Sequence, residues 1–288
     1  MSKASKRVIF GVIAVLFVAA VVFASVYDYD ISKNIAAVSE LDEPLWTLIL
    51  DVMGEMPALL FSGFNMAVIV EYYKRKKEQK NRGVILAISY ILLVVCGFYP
   101  MFKLMKTLAL HEVITFGSSL MKYAVYAASG IIVGLIVGFI FLKITSKYSD
   151  EKVSNYKNAA LTCIGIAVSV LVIINILKMG FGRPRPWAVF GENVAFSSWY
   201  QPHFFSGYRS FPSGHTANAT MIIMLAVYFP KKRKWLVPLL SLWIIAVAVS
   251  RLFAGAHFLS DVLFGCFFTL LICYIWCRKT GAWHSVKD

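Results

Sequence analysis

The chain has 288 residues, 59% of them hydrophobic and only 15% charged, with a mean hydropathy of +0.70. This balance excludes a soluble globule and describes an all-α, polytopic membrane helix bundle. The net charge of +14 does not call for nucleic acid, because cytoplasmic anchoring and anionic lipid headgroups account for most of it, with one local anion pocket for the rest.

Charge-free apolar runs occupy residues 8–27, 84–102, 123–142, 158–177 and 262–277, with shorter ones at 56–70, 216–229 and 235–250. Flanking turns bring most of them to the roughly 17 to 25 residues of a bilayer-crossing helix, so about eight transmembrane helices are expected. The first follows Lys3, Lys6 and Arg7 and is too long for a signal-peptide core, which makes it an uncleaved anchor. Next come Asp28, Asp30, Glu40, Asp42, Glu43 and Asp51 against the single basic Lys33, the pattern of an extracytoplasmic loop. Lys74, Arg75, Lys76, Lys77, Lys80 and Arg82 close the second span, and the run reads as a cytoplasmic anchor rather than a nucleic-acid patch. Residues 100–122, with Pro100, Lys103, Lys106, His111, Glu112 and Lys122, are expected to form an interfacial helix in which His111 is a surface residue. Gly130, Gly134 and Gly138 recur at helix-packing spacing and mark a close helix contact.

The fifth span runs into the segment from Lys178 to Pro186, where glycines and prolines stop the helix. With both termini in the cytoplasm, twenty of the 29 lysines and arginines fall on the inner side, as the positive-inside rule requires. Of the outer ones, Lys178, Arg183, Arg185, Arg209 and Arg251 cluster around a candidate site. Cys96, Cys163, Cys266, Cys273 and Cys277 lie in or at the ends of spans. None is placed for an outer disulfide, and Cys273 with Cys277 lacks the further ligands a metal site needs, so no metal and no cofactor are expected.

The chemistry concentrates in three segments. In Phe211 to Thr216, Ser213 is a favoured N-cap, Gly214 keeps no side chain between the helix N-terminus and a ligand, and His215 offers an imidazole beside a bound anion. Alone, this string reads first as a capped helix start, because short motifs match by chance. From His215 the chain makes one hairpin, down through 216–229, round Lys231 to Lys234 and back through 235–250, so Ser250 and Arg251 return to the face where Ser213 began. His257 and Asp261, four apart, share one face of the last helix. A carboxylate that fixes one imidazole nitrogen leaves the other unprotonated, so His257 is the candidate nucleophile and Asp261 its orienter. Lys178, Arg185 and Arg251, with Ser213 and the N–H groups near Gly214, are candidate phosphate ligands, and His215 the candidate acid.

These segments resemble the signature of the type-2 phosphatidic acid phosphatase family, the membrane branch of a superfamily that includes bacterial acid phosphatases and vanadium haloperoxidases. Its Lys, six residues, Arg-Pro motif falls on Lys178, Arg185 and Pro186, its Pro-Ser-Gly-His on Pro212 to His215, and its Ser-Arg, five residues, His, three residues, Asp on Ser250, Arg251, His257 and Asp261. This spacing selects Arg185 over Arg183, which is left as a second substrate contact. The resemblance implies a helical phosphatase core, a phosphohistidine intermediate on His257 and lipid phosphates entering from the outer leaflet. Family members commonly have six spans, so one helical pair, at 84–142, is an addition. The expected organisation is N-terminal spans over 1–157, a catalytic core over 158–278 and a cytoplasmic tail over 279–288.

The aromatic loop from Trp187 to Ser210 reads either as a substrate lid or as an interfacial belt, and His203 within it is not expected to be catalytic. The expected activity is metal-independent hydrolysis of a lipid phosphate or pyrophosphate ester: phosphatidate, phosphatidylglycerol phosphate or a polyprenyl pyrophosphate. The rivals are a phosphotransferase of the same fold and a transporter; the apolar runs carry no charged relay that would favour the latter. Nothing in the sequence sets the oligomeric state.

Overall fold

The computed structural model describes residues 3–39, 44–110, 113–284 and 286. Glu40, Asp42, Glu43, His111 and Glu112, and the side chains of Lys3, Lys6 and Arg7, lie outside the described residues. Ten α-helices and no strand are present among them: α1 (Lys3–Ser39), α2 (Leu45–Met53), α3 (Met56–Arg75), α4 (Arg82–Leu110), α5 (Ser119–Ser146), α6 (Asp150–Phe181), α7 (Pro186–Gly191), α8 (Gly214–Met221), α9 (Arg233–Phe253) and α10 (Leu259–Thr280). The protein is an all-α, integral-membrane bundle. Among the described residues seven helical stretches are long and apolar enough to cross a bilayer, α2 and α3 together counting as one.

The expected eighth span, 216–229, is a different kind of element. It is the short α8 followed by 3-10 turns over Ile222–Val227, packed among α10, α9, α6 and α3. Thr216, Ala217, Ala219, Thr220, Ile222, Met224, Ala226 and Val227 are buried. The threonines and alanines suit an interior post, where hydroxyls bond the backbone and small side chains admit neighbours, better than a lipid-facing helix. Thr220 Oγ1, for example, donates to the Thr216 carbonyl at 2.7 Å. Around it, Ile166, Val170 and Ile174 of α6, Ile244 of α9 and Ile272 and Cys273 of α10 close the main core. All five cysteines are free thiols.

Two further expectations are corrected. Asp28 and Asp30 belong to α1 and Asp51 to α2, not to a loop, and Asp28 is buried. Residues 100–110 continue α4 through Pro100 instead of forming a separate helix. The glycine pattern does mark a close helix contact, though unevenly: a Cβ on Gly134 would meet the Val94 carbonyl oxygen at 2.5 Å and one on Gly130 the Phe98 ring at 2.6 Å, whereas Gly138 has ordinary room against Leu93 at 3.4 Å. The α4–α5 pair so formed packs on α3, and α3 packs on α6. This arrangement joins the pair through α3 to α6, the helix that carries Lys178.

Candidate active site

The end of α6 is set by Gly182, left-handed at φ 46°. A Cβ there would approach the His203 carbonyl oxygen to 2.0 Å, so the residue that stops the helix is also the only type that fits the returning loop. Lys178 thus ends in the last turn of α6, and Arg185 is the N-cap of α7. The loop comes back to Ser213, whose Oγ accepts from Thr216 N at 3.3 Å as the N-cap of α8 and whose N–H donates to the Asp261 carbonyl at 2.9 Å. This bond brings α10 against the start of α8, where Gly265 has no space for a Cβ beside Ser213.

Lys178, Arg185, Arg209, Gly214, His215 and His257 line one cavity of about 360 Å³, walled on its other sides by Glu55, Tyr99, Val170, Leu171, Ile174, Asn175 and Asn218. Residues from all three motifs therefore meet. Lys178 Nζ donates to the Arg209 carbonyl at 2.8 Å. Among the described residues the Arg185 guanidinium makes no direct protein hydrogen bond, so its donors are available to an anion in the cavity.

Three of the candidate residues stand behind the cavity wall. The Ser213 hydroxyl is fully buried and engaged with Thr216, so its visible task is capping. Arg251 is 2% exposed and bonded to Asp51, to the Thr47 carbonyl at 2.6 Å and to Ser250. Asp261 is fully buried.

His257 Nδ1 lies 3.7 Å from Asp261 Oδ2, beyond direct hydrogen-bond range, with the Ser210 hydroxyl alongside at 3.5 Å. Ser210 Oγ donates to the same Oδ2 at 2.5 Å, and the Phe258 N–H donates to it at 2.9 Å. The carboxylate is therefore fixed by backbone and hydroxyl, and its charge faces the Nδ1 edge of the ring. Burial pushes the imidazole down to about 3; Lys178 and Arg185 add to the fall and Asp261 opposes it. The ring is neutral through the physiological range, as a nitrogen nucleophile must be.

Arg183, expected as a second substrate contact, is instead 1% exposed and does not line the cavity. Its Nη1 donates to Asp261 Oδ1 at 2.7 Å and to Ser260 at 2.8 Å, its Nη2 to Asp28 at 3.0 Å, and its Nε to the Ser197 carbonyl at 2.8 Å. Asp28 also accepts from the Ser260 N–H at 2.9 Å and from the Ser260 hydroxyl. A buried relay thus runs from α1 to Asp261.

A second set of N-terminal residues meets His215. Its Nε2 lies 3.0 Å from Asp51 Oδ1 and 2.8 Å from Lys103 Nζ. Lys103 is also 3.1 Å from Asp51 and 3.4 Å from Glu55, and Glu55 accepts from Asn218 at 2.7 Å. Sequence reading placed none of Asp28, Asp51, Glu55, Lys103 or Ser210 in the site. The available signal was the position of the first four at the ends of apolar runs, where an ionisable side chain in a membrane helix needs a partner.

Among the described residues no group of three or more His, Cys, Asp and Glu side chains is arranged to hold a metal ion. The loop that follows α7 is pinned rather than free: Trp199 donates to Ser25 at 2.8 Å and packs on Phe264 and Phe211. At its tip Phe204 and Phe205 are exposed, and His203 does not line the cavity.

The class of protein defined by fold and site is a helical membrane bundle enclosing a cationic cavity with two histidines. Residues 158–284 match the family model described as PAP2 superfamily, so this segment is similar to the type-2 phosphatidic acid phosphatases. It is similar to a lipid A 1-phosphatase of Rhizobium johnstonii, 30% identical over 37% of this chain and 43% of the relative. A lipid A 4'-phosphatase of Rhizobium leguminosarum is 34% identical over 36% of this chain and 46% of the relative. The chain spans less than half the length of these curated relatives. No solved structure matches. Every residue expected at the site falls inside the matched segment, whereas Asp28, Asp51, Glu55 and Lys103 precede it.

Proposed function

We propose that the protein is a metal-independent lipid phosphate phosphatase acting through a phosphohistidine on His257. The observation that carries this reading is the cavity itself, where a neutral, buried His257 and a second histidine, His215, flank Lys178 and Arg185. Phosphoryl oxygens are held by Lys178, Arg185 and the N–H groups at the start of α8, whose dipole favours an anion. The unprotonated nitrogen of His257 attacks phosphorus while the ester P–O bond breaks, and the leaving oxygen takes a proton from His215. Water then attacks the phosphohistidine, giving its proton to His215, as the P–N bond breaks and phosphate leaves. The cations stabilise transition-state charge that a divalent ion carries in other phosphoryl-transfer enzymes.

The substrate is the phosphate of a membrane lipid, whether glycerolipid, polyprenyl or, as in the named relatives, lipid A. The similar relatives are named for both the 1 and the 4' positions, which supports a matched segment that carries phosphoryl chemistry and leaves the choice of position to other parts of the chain. Release of inorganic phosphate from a panel of these lipids, with the protein in detergent and a strong chelator present, tests the reading. Turnover should persist in chelator and fall with vanadate, which mimics the pentacoordinate phosphoryl state. Activity lost to chelator and restored by magnesium would overturn the mechanism, and transfer to an acceptor without phosphate release would replace hydrolysis by phosphotransfer.

We place the cavity on the extracytoplasmic side with both termini in the cytoplasm, on the distribution of lysine and arginine. The catalytic core is assigned to residues 158–278. A cysteine placed at Ser198 should react with an impermeant thiol reagent from outside intact cells and one at Gln79 should not; the reverse pattern moves the site to the cytoplasm.

A further inference from the structure

The mechanism just given assigns no task to Asp51, yet this residue, on a helix that precedes the family-matched segment, touches both the third-motif arginine and the second-motif histidine. Its Oδ1 accepts from Arg251 Nη1 at 2.5 Å and lies 3.0 Å from His215 Nε2. One carboxylate oxygen therefore stands between a cation behind the cavity wall and a ring that lines the cavity. Lys103 of α4 approaches the same Nε2 to 2.8 Å. An ammonium and a proton-bearing ring nitrogen repel at that distance, so against Lys103 the nitrogen accepts and the ring is neutral there. Against Asp51 it must donate. Nε2 thus has two partners that suit opposite protonation states, and which one prevails depends on how strongly Asp51 is engaged elsewhere.

We propose that Asp51 is a positioning residue that couples phosphate binding to charging of the acid. In the substrate-free arrangement Asp51 is paired with Arg251 through Oδ1 and with Lys103 through Oδ2. A phosphoryl group offers Arg251 several oxygens and draws the guanidinium toward the cavity. Asp51, relieved of that partner, holds Nε2–H and favours the imidazolium. The ring takes this proton from solvent, gives its other N–H to the leaving oxygen as the P–O bond breaks, and regains that proton from the hydrolytic water. The charged and titratable groups facing His215 are Asp51 of α2, Glu55 at the start of α3 and Lys103 of α4, with Arg251 of α9 behind Asp51. Losing the Asp51 charge disfavours the imidazolium, so the limb on which activity falls with rising pH moves to lower pH.

This inference rests on the hydrolase reading, so its test includes a binding arm that needs no turnover. Asp51→Asn frees Arg251 from a competing carboxylate. Vanadate, followed by its protection against thermal unfolding, should bind about fivefold more tightly, the order expected for one lost ion pair. Hydrolysis of an alkyl phosphate should fall by about tenfold or more, part of the roughly 10²- to 10⁴-fold due to general acid catalysis, while an activated aryl phosphate falls far less. Asp51→Glu should restore the pH limb in part. Weaker vanadate binding, an unmoved pH limb or equal loss of both esters in Asp51→Asn would overturn the proposal and leave Asp51 a structural residue. A wild-type protein inert toward both esters would overturn the hydrolase reading alone, because the vanadate shift between wild type and variant still decides the Arg251 exchange.

Discussion

Replacing His257 with alanine should abolish turnover and phosphate labelling of the protein together, whichever ester is offered. His257 lines the cavity, is neutral and has its Nδ1 edge turned to Asp261, and in the proposed mechanism it supplies the nitrogen that bonds phosphorus. His215→Ala removes a proton and not a bond. Its cost with an alkyl ester should be roughly 10²- to 10⁴-fold, and an activated aryl phosphate, whose leaving oxygen needs no proton, should recover part of its phosphoenzyme formation. Asp261→Asn should fall between the two, since the Phe258 N–H and Ser210 can still hold the side chain but the charge facing the ring is gone. Rapid-quench labelling with both ester types separates these outcomes. If His257→Ala still formed an acid-labile phosphoenzyme while His215→Ala did not, nucleophile and acid would have to exchange roles.

What was legible in the sequence was what local spacing can encode. Glycines at intervals of four announce a helix contact because neighbouring turns stack them on one face, and the three motifs announce a gathered site because each is compact and linked by a hairpin of readable length. The run 216–229 misled because hydropathy does not separate a lipid-facing helix from an interior post; its threonines and Asn218 carried that distinction. Pro100 misled in the opposite sense, since a membrane helix can run through a proline when neighbours satisfy the freed carbonyl. The N-terminal carboxylates were not legible for a deeper reason. Asp28 meets Arg183 across 155 residues, and Asp51 meets Arg251 across 200, and no periodicity in one sequence specifies such a pairing. The same limit applied to Arg183, which from composition was one more cation near the phosphate. Only its burial between two carboxylates shows that it serves Asp261 rather than an anion in the cavity.

That burial makes Arg183 the position outside the cavity where substitution should cost most. Arg183→Met would leave Asp28 and Asp261, both nearly or wholly inaccessible to water, facing each other without the cation that bridges them. Breaking a buried ion pair from one side typically costs about 3–5 kcal/mol, and the guanidinium also packs 4.1 Å from the Phe258 ring. Lysine should not rescue it, because one ammonium cannot reproduce a fork that serves Asp28, Asp261, Ser260 and the Ser197 carbonyl together. Asp28→Asn should cost less, since the amide oxygen can still accept from the Ser260 N–H and one uncompensated charge disappears with the substitution. Asp28→Asn combined with Arg183→Met should then be less damaging than the sum of the two, because the charge that methionine orphans has been halved. Thermal unfolding of the four proteins in one detergent measures that coupling. Arg183→Met with wild-type stability, or strict additivity in the double variant, would show that Asp28 and Arg183 do not act as a pair and that α1 is held by packing and by its Ser260–Asp28 and Trp199–Ser25 hydrogen bonds.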